Sequence, residues 1–276
     1  MKADFRRKFA QFASFVITNR EVGNFFTGKI YKGNEKYLCA PGLNCYSCPA
    51  ATLSCPLGAM QTIIGSAGSV FGFYAFGFIL MFGVLCGRFI CGFLCPFGLF
   101  QELLAKIPLP KKKLPQILNY VKYAVLFIFV LLLPLAGALA SGIGEPAFCQ
   151  YICPAGTLEA AIPLLITHSE FMDSVGVLFA VKLTVLLIVI IGCMTVYRFF
   201  CKTLCPLGAL YGLLNKISFY RMGFNKQACV NCGACEKICP MGINPAKSAN
   251  STECIRCGKC VETCGVNALN MVMKLR

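Results

Sequence analysis

Eight cysteines near the end of the chain follow one spacing twice. The first run reads Cys-x2-Cys-x2-Cys-x3-Cys-Pro from Cys229 to Pro240, and the second repeats it from Cys254 to Cys264 with Gly265 in place of proline. In bacterial two-cluster proteins such runs bind [4Fe–4S] clusters, and the fourth cysteine of each run ligates the other cluster. The spacing therefore predicts two clusters, with the ligand sets Cys229, Cys232, Cys235 and Cys264, and Cys254, Cys257, Cys260 and Cys239.

Zinc and disulfides are the alternative uses of so many cysteines. Four thiolates also suit a structural zinc ion, but two interlocked runs are difficult to explain by zinc. Disulfides are not expected, because this segment is predicted to lie on the reducing side of a membrane. The segment is short and has few large apolar residues, so bound clusters are expected to supply much of its folding free energy.

Twelve of the 20 cysteines lie outside that segment, and many of them belong to an internal repeat. The windows Gly87 to Ile107 and Tyr197 to Ile217 share Arg, Phe, Cys, Leu, Cys, Pro and Gly in register, and each contains Cys-x3-Cys-Pro. A fainter match relates Cys48-Pro-Ala-Ala-Thr-Leu to Cys153-Pro-Ala-Gly-Thr-Leu. These matches predict two copies of one unit, each with an outer and an inner Cys-Pro loop.

Two parallel copies would bring equivalent loops together near a pseudo-twofold axis along the membrane normal. We therefore predict one four-cysteine site at each face. The outer site would contain Cys45, Cys48, Cys149 and Cys153, and the inner site Cys91, Cys95, Cys201 and Cys205. In an alternative, Cys39, Cys45, Cys48 and Cys55 form a local outer site within the first copy. Cys86 and Cys193 belong to neither arrangement.

The residues around the Cys-Pro pairs favour helix entrances. A residue before proline is driven out of the α region, and proline is favoured at the first helical position. We therefore expect Cys55, Cys95, Cys153 and Cys205 to precede helices, whose N-termini favour thiolates. Arg88 and Arg198 lie three residues before the first cysteine of each inner motif. They either offset the charge of a thiolate-bound cluster or anchor the chain at the cytoplasmic surface.

The composition is that of a membrane protein. Hydrophobic residues make up 57% of the chain and charged residues 13%, whereas soluble domains contain about 25% charged residues. Residues 62–86, 117–140 and 175–197 are each long enough to cross the roughly 30 Å hydrocarbon core. A fourth segment, residues 9–26, either crosses or lies in the interface as an amphipathic helix. The net charge of +15 comes from basic residues beside apolar spans, so membrane lipid is an expected partner and nucleic acid is not.

Loop charges predict the orientation. Residues 141–174 contain four acidic residues and no Lys or Arg, so this loop is expected outside. The loops after residue 86 and after residue 197 are basic, which predicts that they and the C-terminal domain are cytoplasmic. The basic N-terminus is also expected inside, and this requires residues 9–26 to cross. The prediction is a multi-pass protein of the cell membrane.

The expected fold is mainly α. It comprises polytopic membrane helices arranged as two parallel repeats with Cys-Pro loops, and a small C-terminal α+β domain with two [4Fe–4S] clusters. The predicted boundaries are residues 1–110 and 111–222 for the two membrane repeats, and residues 223–276 for the cytoplasmic domain.

The chain resembles the NapH/NosR-type membrane polyferredoxins. The resemblance is carried by the two Cys-x3-Cys-Pro motifs, by LNCYSCPAATLSCPLGA around Cys45 to Cys55, and by the terminal double run. It implies cytoplasmic clusters, inner motifs that face the cytoplasm, and electron transfer between a quinone pool or a cytosolic donor and a partner redox protein. The chain has no large flavin domain like that of the NosR-like members, so no covalent flavin is expected. A single histidine, His168, excludes a bis-histidine haem within this chain.

Two main functional hypotheses follow. In the first, the chain is an electron conduit in which up to two further iron–sulfur clusters lie in the membrane part. A roughly 30 Å core is then too wide for one tunnelling step, unless re-entrant loops or a quinone shorten the gap. In the second, Cys91/Cys95, Cys201/Cys205 or the outer pairs act as thiol–disulfide oxidoreductase centres supplied by the C-terminal domain. A third reading, a redox-sensing subunit, has no signalling domain to support it.

Two further side chains are candidates on their own. His168 lies in the acidic outer loop and is a candidate quinol proton acceptor, although an ordinary interfacial role also fits it. Lys182 lies inside the third long span. An intramembrane charge is a functional candidate, but we expect this amine to reach the outer surface instead.

Overall fold

The computed structural model describes residues 2–66, 73–112 and 114–274, and within them the predicted mainly α fold is confirmed. Lys113 and part of the predicted span 62–86 lie outside the described residues. The longer helices are Lys2–Thr18, Pro56–Ile64, Phe73–Cys86, Pro96–Leu104, Gln116–Ser141, Pro154–Thr167, Val177–Thr195 and Pro206–Leu214. Short helices span Asn24–Thr27, Phe89–Phe93, Phe199–Thr203, Ala234–Lys237 and Lys259–Glu262, and the strands are Tyr220–Phe224 and Leu269–Met273.

In the described part of the chain, two helices are long and apolar enough to cross a bilayer. They are Gln116–Ser141, with 26 residues, and Val177–Thr195, with 19. At 1.5 Å per residue these lengths correspond to about 39 and about 28 Å. They coincide with two of the predicted spans and associate the chain with a membrane.

The prediction of one continuous span over residues 62–86 is wrong. The Pro56–Ile64 helix ends at Gly65, whose carbonyl accepts a 2.6 Å hydrogen bond from the Gly144 amide. The Gly65 carbonyl is thus engaged by a neighbouring segment at the end of the helix. The next described helix is Phe73–Cys86, whose 14 residues correspond to about 21 Å.

The N-terminal helix Lys2–Thr18 has its polar side towards the protein. Its buried side contains Arg7 and Gln11, whereas Phe5 and Phe9 are 73% and 65% exposed. Arg7 Nη1 donates to the Gly92 carbonyl at 3.3 Å. Just beyond the other end of the helix, the side-chain Nδ2 of Asn19 donates to Asn44 Oδ1 at 3.0 Å. The inward polar residues lower the hydropathy of this segment, and for that reason its membrane signal in the sequence is weak.

Glu102 fixes this helix to the rest of the molecule. Its carboxylate accepts from both terminal nitrogens of Arg7, at 2.5 and 2.6 Å, and from Arg198 Nε at 2.8 Å. Burial alone would raise the pKa of Glu102, but the charges of Arg198 and Arg7 outweigh burial and hold this pKa below its ordinary value of 4.5. The ionised carboxylate therefore stabilises the contact at neutral pH.

We expect the attachment of the Lys2–Thr18 helix to be insensitive to pH between about 5 and 8. A lowered pKa means that the stabilisation is present above 4.5 and is lost as the pH falls through the lowered value. Hydrogen exchange of residues 2–18, corrected for intrinsic rates, measures this. The Glu102→Gln variant should exchange faster already at pH 7, and equal exchange in variant and parent would contradict the role of the carboxylate.

The C-terminal domain is a two-stranded antiparallel sheet with two short helices. Tyr220–Phe224 pairs with Leu269–Met273, so the first strand begins three residues before the predicted boundary at residue 223. Arg256 joins the domain to the membrane part, because its guanidinium donates to the Cys86 carbonyl at 2.9 Å and to the Asn215 carbonyl at 2.8 Å. Arg256 is almost completely buried.

Candidate functional site

Two cavities in the C-terminal domain are lined by cysteines. One is lined by Cys229, Cys232, Cys235 and Cys264, and the other by Cys239, Cys254, Cys257 and Cys260. Each cavity thus collects the four cysteines that the crossed assignment places together, and all eight are free thiols.

The donor set of these cavities fits a multi-iron cluster. Each cavity presents four cysteine thiols, which is the ligand set of a [4Fe–4S] cluster.

The four inner cysteines are buried and near one another. Cys95 and Cys205 have extended backbones and precede the helices Pro96–Leu104 and Pro206–Leu214, as their Cys-Pro pairs predict. Burial, together with the neighbouring Cys201 and Cys91 thiols, raises the pKa of Cys95 to about 12. Without a bound cation, this thiol remains protonated at neutral pH.

Arg88 and Arg198 each contact the inner Cys-Pro motif of the other repeat. Arg88 Nη2 donates to the Cys201 carbonyl at 2.9 Å, and Arg198 Nη1 donates to the Cys91 carbonyl at 2.6 Å. Both arginines are 0% exposed, so the interpretation as surface anchors is wrong. Arg88 has electrostatic interactions with Cys91 and Cys201, and Arg198 with Cys201 and Cys95. Two buried positive charges therefore flank the inner thiols.

Sequence reasoning missed Gln101, which contacts the inner site directly. Its Nε2 donates to Cys201 Sγ at 3.0 Å, and its Oε1 accepts from the Cys201 amide at 3.3 Å. Gln101 follows Cys95 by six residues, and Gln61 follows Cys55 by the same interval. That repeated Cys-Pro-x-Gly-x2-Gln pattern was the available signal.

The outer site draws on both halves of the chain. Cys153 has electrostatic interactions with Cys149, Cys45 and Cys55, so cysteines from the two predicted copies meet. The Cys48 thiol instead donates to the Glu159 carbonyl at 3.2 Å. Cys39 pairs through its backbone with Ser54.

The outer segment reaches the inner cysteines. A Cβ built on Gly42 would lie 2.7 Å from Cys95 Cα, so the backbones are in close contact. The hydroxyl of the fully buried Tyr211 donates to the Pro41 carbonyl at 3.0 Å. The segment that contains Pro41 and Gly42 therefore lies directly against the inner cysteines.

The inner cysteines also adjoin the C-terminal domain. Arg88 Nη1 donates to the Thr252 carbonyl at 2.7 Å and to Glu253 Oε2 at 2.8 Å, immediately before Cys254. A Cβ built on Gly92 would lie 2.6 Å from the Ile255 carbonyl oxygen. The inner group thus lies between the outer cysteines and the second cavity of the C-terminal domain.

The remaining candidates have ordinary or supporting contacts. His168 Nε2 lies 2.8 Å from the Phe25 carbonyl oxygen, which ties the outer loop to the N-terminal segment. The Lys182 side chain is half-buried, and its amine interacts electrostatically with Cys149. The Cys193 thiol lies 3.6 Å from Gln101 Oε1, and the Cys86 carbonyl accepts from Arg256.

Comparisons with known proteins agree with this arrangement of cysteines. A family described as "4Fe-4S binding domain" matches residues 69–115, 126–162 and 178–226, and one described as "4Fe-4S dicluster domain" matches residues 221–265. The methylamine utilization ferredoxin-type protein MauN of Methylorubrum extorquens is 32% identical over 235 residues, which cover 81% of this chain and 76% of MauN. The chain belongs to the NapH/MauN family of ferredoxin-type proteins. As a member of that family it is an iron–sulfur protein of electron transfer.

Two other members of the family are more distant. The putative electron transport protein YccM of Escherichia coli is 29% identical over 59% of this chain and 44% of its own length. The ferredoxin-type protein NapH of Haemophilus influenzae is 24% identical over 59% of this chain and 50% of its own length. No solved structure matches the chain.

For this ferredoxin-type protein we expect Gln101→Leu to lower the reduction potential of the inner site. The amide donates a hydrogen bond to Cys201 Sγ, which offsets negative charge and so favours the reduced state. The expected decrease is on the order of 50 mV, since about 59 mV is a tenfold change in a one-electron equilibrium. A redox titration followed by electron paramagnetic resonance measures it, and an unchanged set of potentials would contradict the contact.

Proposed function

We propose that the chain is a membrane-bound electron conduit between its C-terminal domain and the outer face of the membrane. The observation that carries this proposal is the order of the cysteine groups. The second cavity of the C-terminal domain adjoins the inner cysteines through Arg88 and Glu253, and the inner cysteines adjoin the outer segment through Gly42 and Cys95.

The proposed ligands in the C-terminal domain are the two sets of four cysteines that line its cavities. In the membrane part, the inner ligands are Cys91, Cys95, Cys201 and Cys205. Iron–sulfur clusters bound there would supply one-electron chemistry. The chain itself holds the thiols at fixed positions, because all four Cys-Pro helices start within a single buried core. It also excludes water from them, and this dry surrounding helps to set the potentials.

The contacts of the N-terminal helix support its proposed crossing of the membrane, with the N-terminus inside. Arg7 contacts Gly92 beside the inner motif, and Asn19 contacts Asn44 beside Cys45. These two residues are twelve apart on or next to one helix, which corresponds to about 18 Å. The inner and the outer cysteine groups are then separated by much less than the thickness of the roughly 30 Å hydrocarbon core. The exposed Phe5 and Phe9 would face lipid.

The thiol–disulfide alternative has weaker support. Exchange requires a thiolate, whereas burial raises the pKa of the Cys95 thiol to about 12 and that of Cys205 well above its ordinary value. Both thiols are also buried, away from an external disulfide. These properties favour a metal-bound role for the inner cysteines.

The proposed outer partner is a quinone or a redox protein. To test the conduit, the full chain is placed in liposomes that contain ferricyanide, and a membrane-impermeant reductant is added outside. We expect ferricyanide to be reduced faster than in empty liposomes. Equal rates in loaded and empty liposomes would contradict electron transfer across the bilayer.

A further inference from the structure

Four of the outer cysteines form a candidate site that differs by one residue from the outer site that the sequence predicts. We infer that Cys45, Cys55, Cys149 and Cys153 ligate an iron–sulfur cluster and that Cys48 does not. This inference rests on the proposed function and deepens it, because it defines the outer end of the conduit.

Backbone geometry places Cys55 with the other Cys-Pro cysteines. Cys55 has φ −73° and ψ 124° and precedes the helix Pro56–Ile64. Cys153 has φ −65° and ψ 111° and precedes Pro154 at the start of a helix. Pro49 also follows a cysteine, but residues 49–50 form a turn and no helix begins there. The match between Cys48 and Cys153 in the sequence is therefore not a match in structure.

Polar contacts repeat between the inner and the outer site. Gln61 Nε2 donates to Cys149 Sγ at 3.2 Å, as Gln101 Nε2 does to Cys201 Sγ at 3.0 Å. Gln61 Oε1 accepts from the Phe148 amide at 2.9 Å. Phe148 immediately precedes Cys149, the cysteine whose sulfur accepts from Gln61 Nε2. Cys149 therefore has the position in the outer site that Cys201 has in the inner site.

A second contact identifies Cys45 as the remaining ligand. Glu159 follows Cys153 by six residues, and its Oε2 accepts from the Cys45 amide at 2.9 Å. A Cβ built on Gly156 would lie 3.4 Å from Cys45 Sγ, and one built on Gly58 would lie 3.8 Å from Cys149 Sγ. The absence of side chains at these two glycines leaves the space between the halves open.

Two amines and the Glu159 carboxylate are the charged groups near the outer thiols. The Lys36 amine interacts with the Cys45 and Cys48 thiols and donates to the Ala51 carbonyl at 2.7 Å. The Lys182 amine interacts with Cys149 and would lie 3.7 Å from a Cβ at Gly156. Two amines flank the outer thiols as Arg88 and Arg198 flank the inner ones. This arrangement gives the intramembrane charge of Lys182 a specific role.

Cys55→Ser and Cys48→Ser are a matched pair for the test, with iron and acid-labile sulfide measured on the anaerobically purified full chain. We expect Cys55→Ser to lose about four iron atoms per chain, the content of one [4Fe–4S] cluster, and Cys48→Ser to retain all of its iron. Loss in Cys48→Ser with retention in Cys55→Ser would overturn the assignment.

Two further variants, Cys95→Ser and Cys232→Ser, distinguish failure of this inference from failure of the proposed function. If Cys55→Ser retains its iron while Cys95→Ser loses iron, the outer site holds no cluster and only this inference fails. If Cys95→Ser and Cys232→Ser also retain all their iron, the proposed function fails with it.

Gln61→Leu keeps every cysteine and covers the case in which Cys55→Ser fails to fold. We expect it to retain its iron and to shift one reduction potential to a lower value, because a hydrogen bond to Cys149 Sγ is removed. Retained iron with every potential unchanged would contradict the outer site.

Discussion

Glu253→Leu is expected to detach the C-terminal domain from the membrane helices and to destabilise the protein by about 3–5 kcal/mol, as when one partner of a buried ion pair is removed. Glu253 accepts from Arg88 Nη1 at 2.8 Å and pairs with the Lys122 amine. Both cations have fully buried side chains. The substitution leaves two buried positive charges without the carboxylate that faces them.

Two measurements report this effect. Thermal unfolding in detergent gives the loss of stability, and limited proteolysis within residues 214–228 reports detachment of the domain. Glu35→Gln is the matched control, because Glu35 pairs with Arg20 at 2.5 Å with both side chains exposed, and such pairs contribute little. If Glu253→Leu is as stable and as protease-resistant as Glu35→Gln, the buried contact does not hold the domain.

Cys95→Ser is expected to stop electron transfer between the C-terminal domain and the outer face. Cys95 lies in the middle of the proposed route, since its backbone contacts the outer segment at Gly42 and its thiol interacts with Cys201 and Cys91. Ferricyanide reduction in the liposome assay should fall to the rate of empty liposomes. The spectrum of the C-terminal domain should remain, because its eight cysteines are unchanged.

The matched control is Cys86→Ser, the same substitution at a cysteine outside the proposed ligand sets, whose carbonyl accepts from Arg256. Its liposomes should reduce ferricyanide at the parent rate. Parent-like rates in Cys95→Ser would show that electrons do not need the inner cysteines. A loss of the C-terminal spectrum in Cys95→Ser would show instead that the variant is misfolded, and Gln101→Leu would then be the informative variant.

The sequence predicted the local features best. Spacing grouped the eight C-terminal cysteines as the cavities do, and the Cys-Pro pairs at Cys55, Cys95, Cys153 and Cys205 predicted helix starts that the structure contains. Among the outer pairs, Cys55-Pro56 begins a helix, whereas Pro49 lies in a turn. Local sequence does not reveal that difference, since Cys48-Pro49 and Cys55-Pro56 are both followed by small or apolar residues.

Features that depend on packing between distant segments could not be predicted. Charge and hydropathy left open whether Arg88 and Arg198 offset the charge of a cluster or anchor the chain at a surface, whereas carboxylates more than 90 residues away in sequence allow their burial. Hydropathy joined residues 62–86 into one span, because apolar composition does not indicate the break at Gly65. The polar side of the Lys2–Thr18 helix weakened its signal, although those residues face the protein.

We propose that cysteines of the membrane part bind iron–sulfur clusters. Iron and acid-labile sulfide, counted per chain in the intact protein purified without oxygen, test it most directly. We expect about sixteen iron atoms and as many sulfides, from four [4Fe–4S] clusters. About eight of each would confine the clusters to the C-terminal domain and contradict the claim.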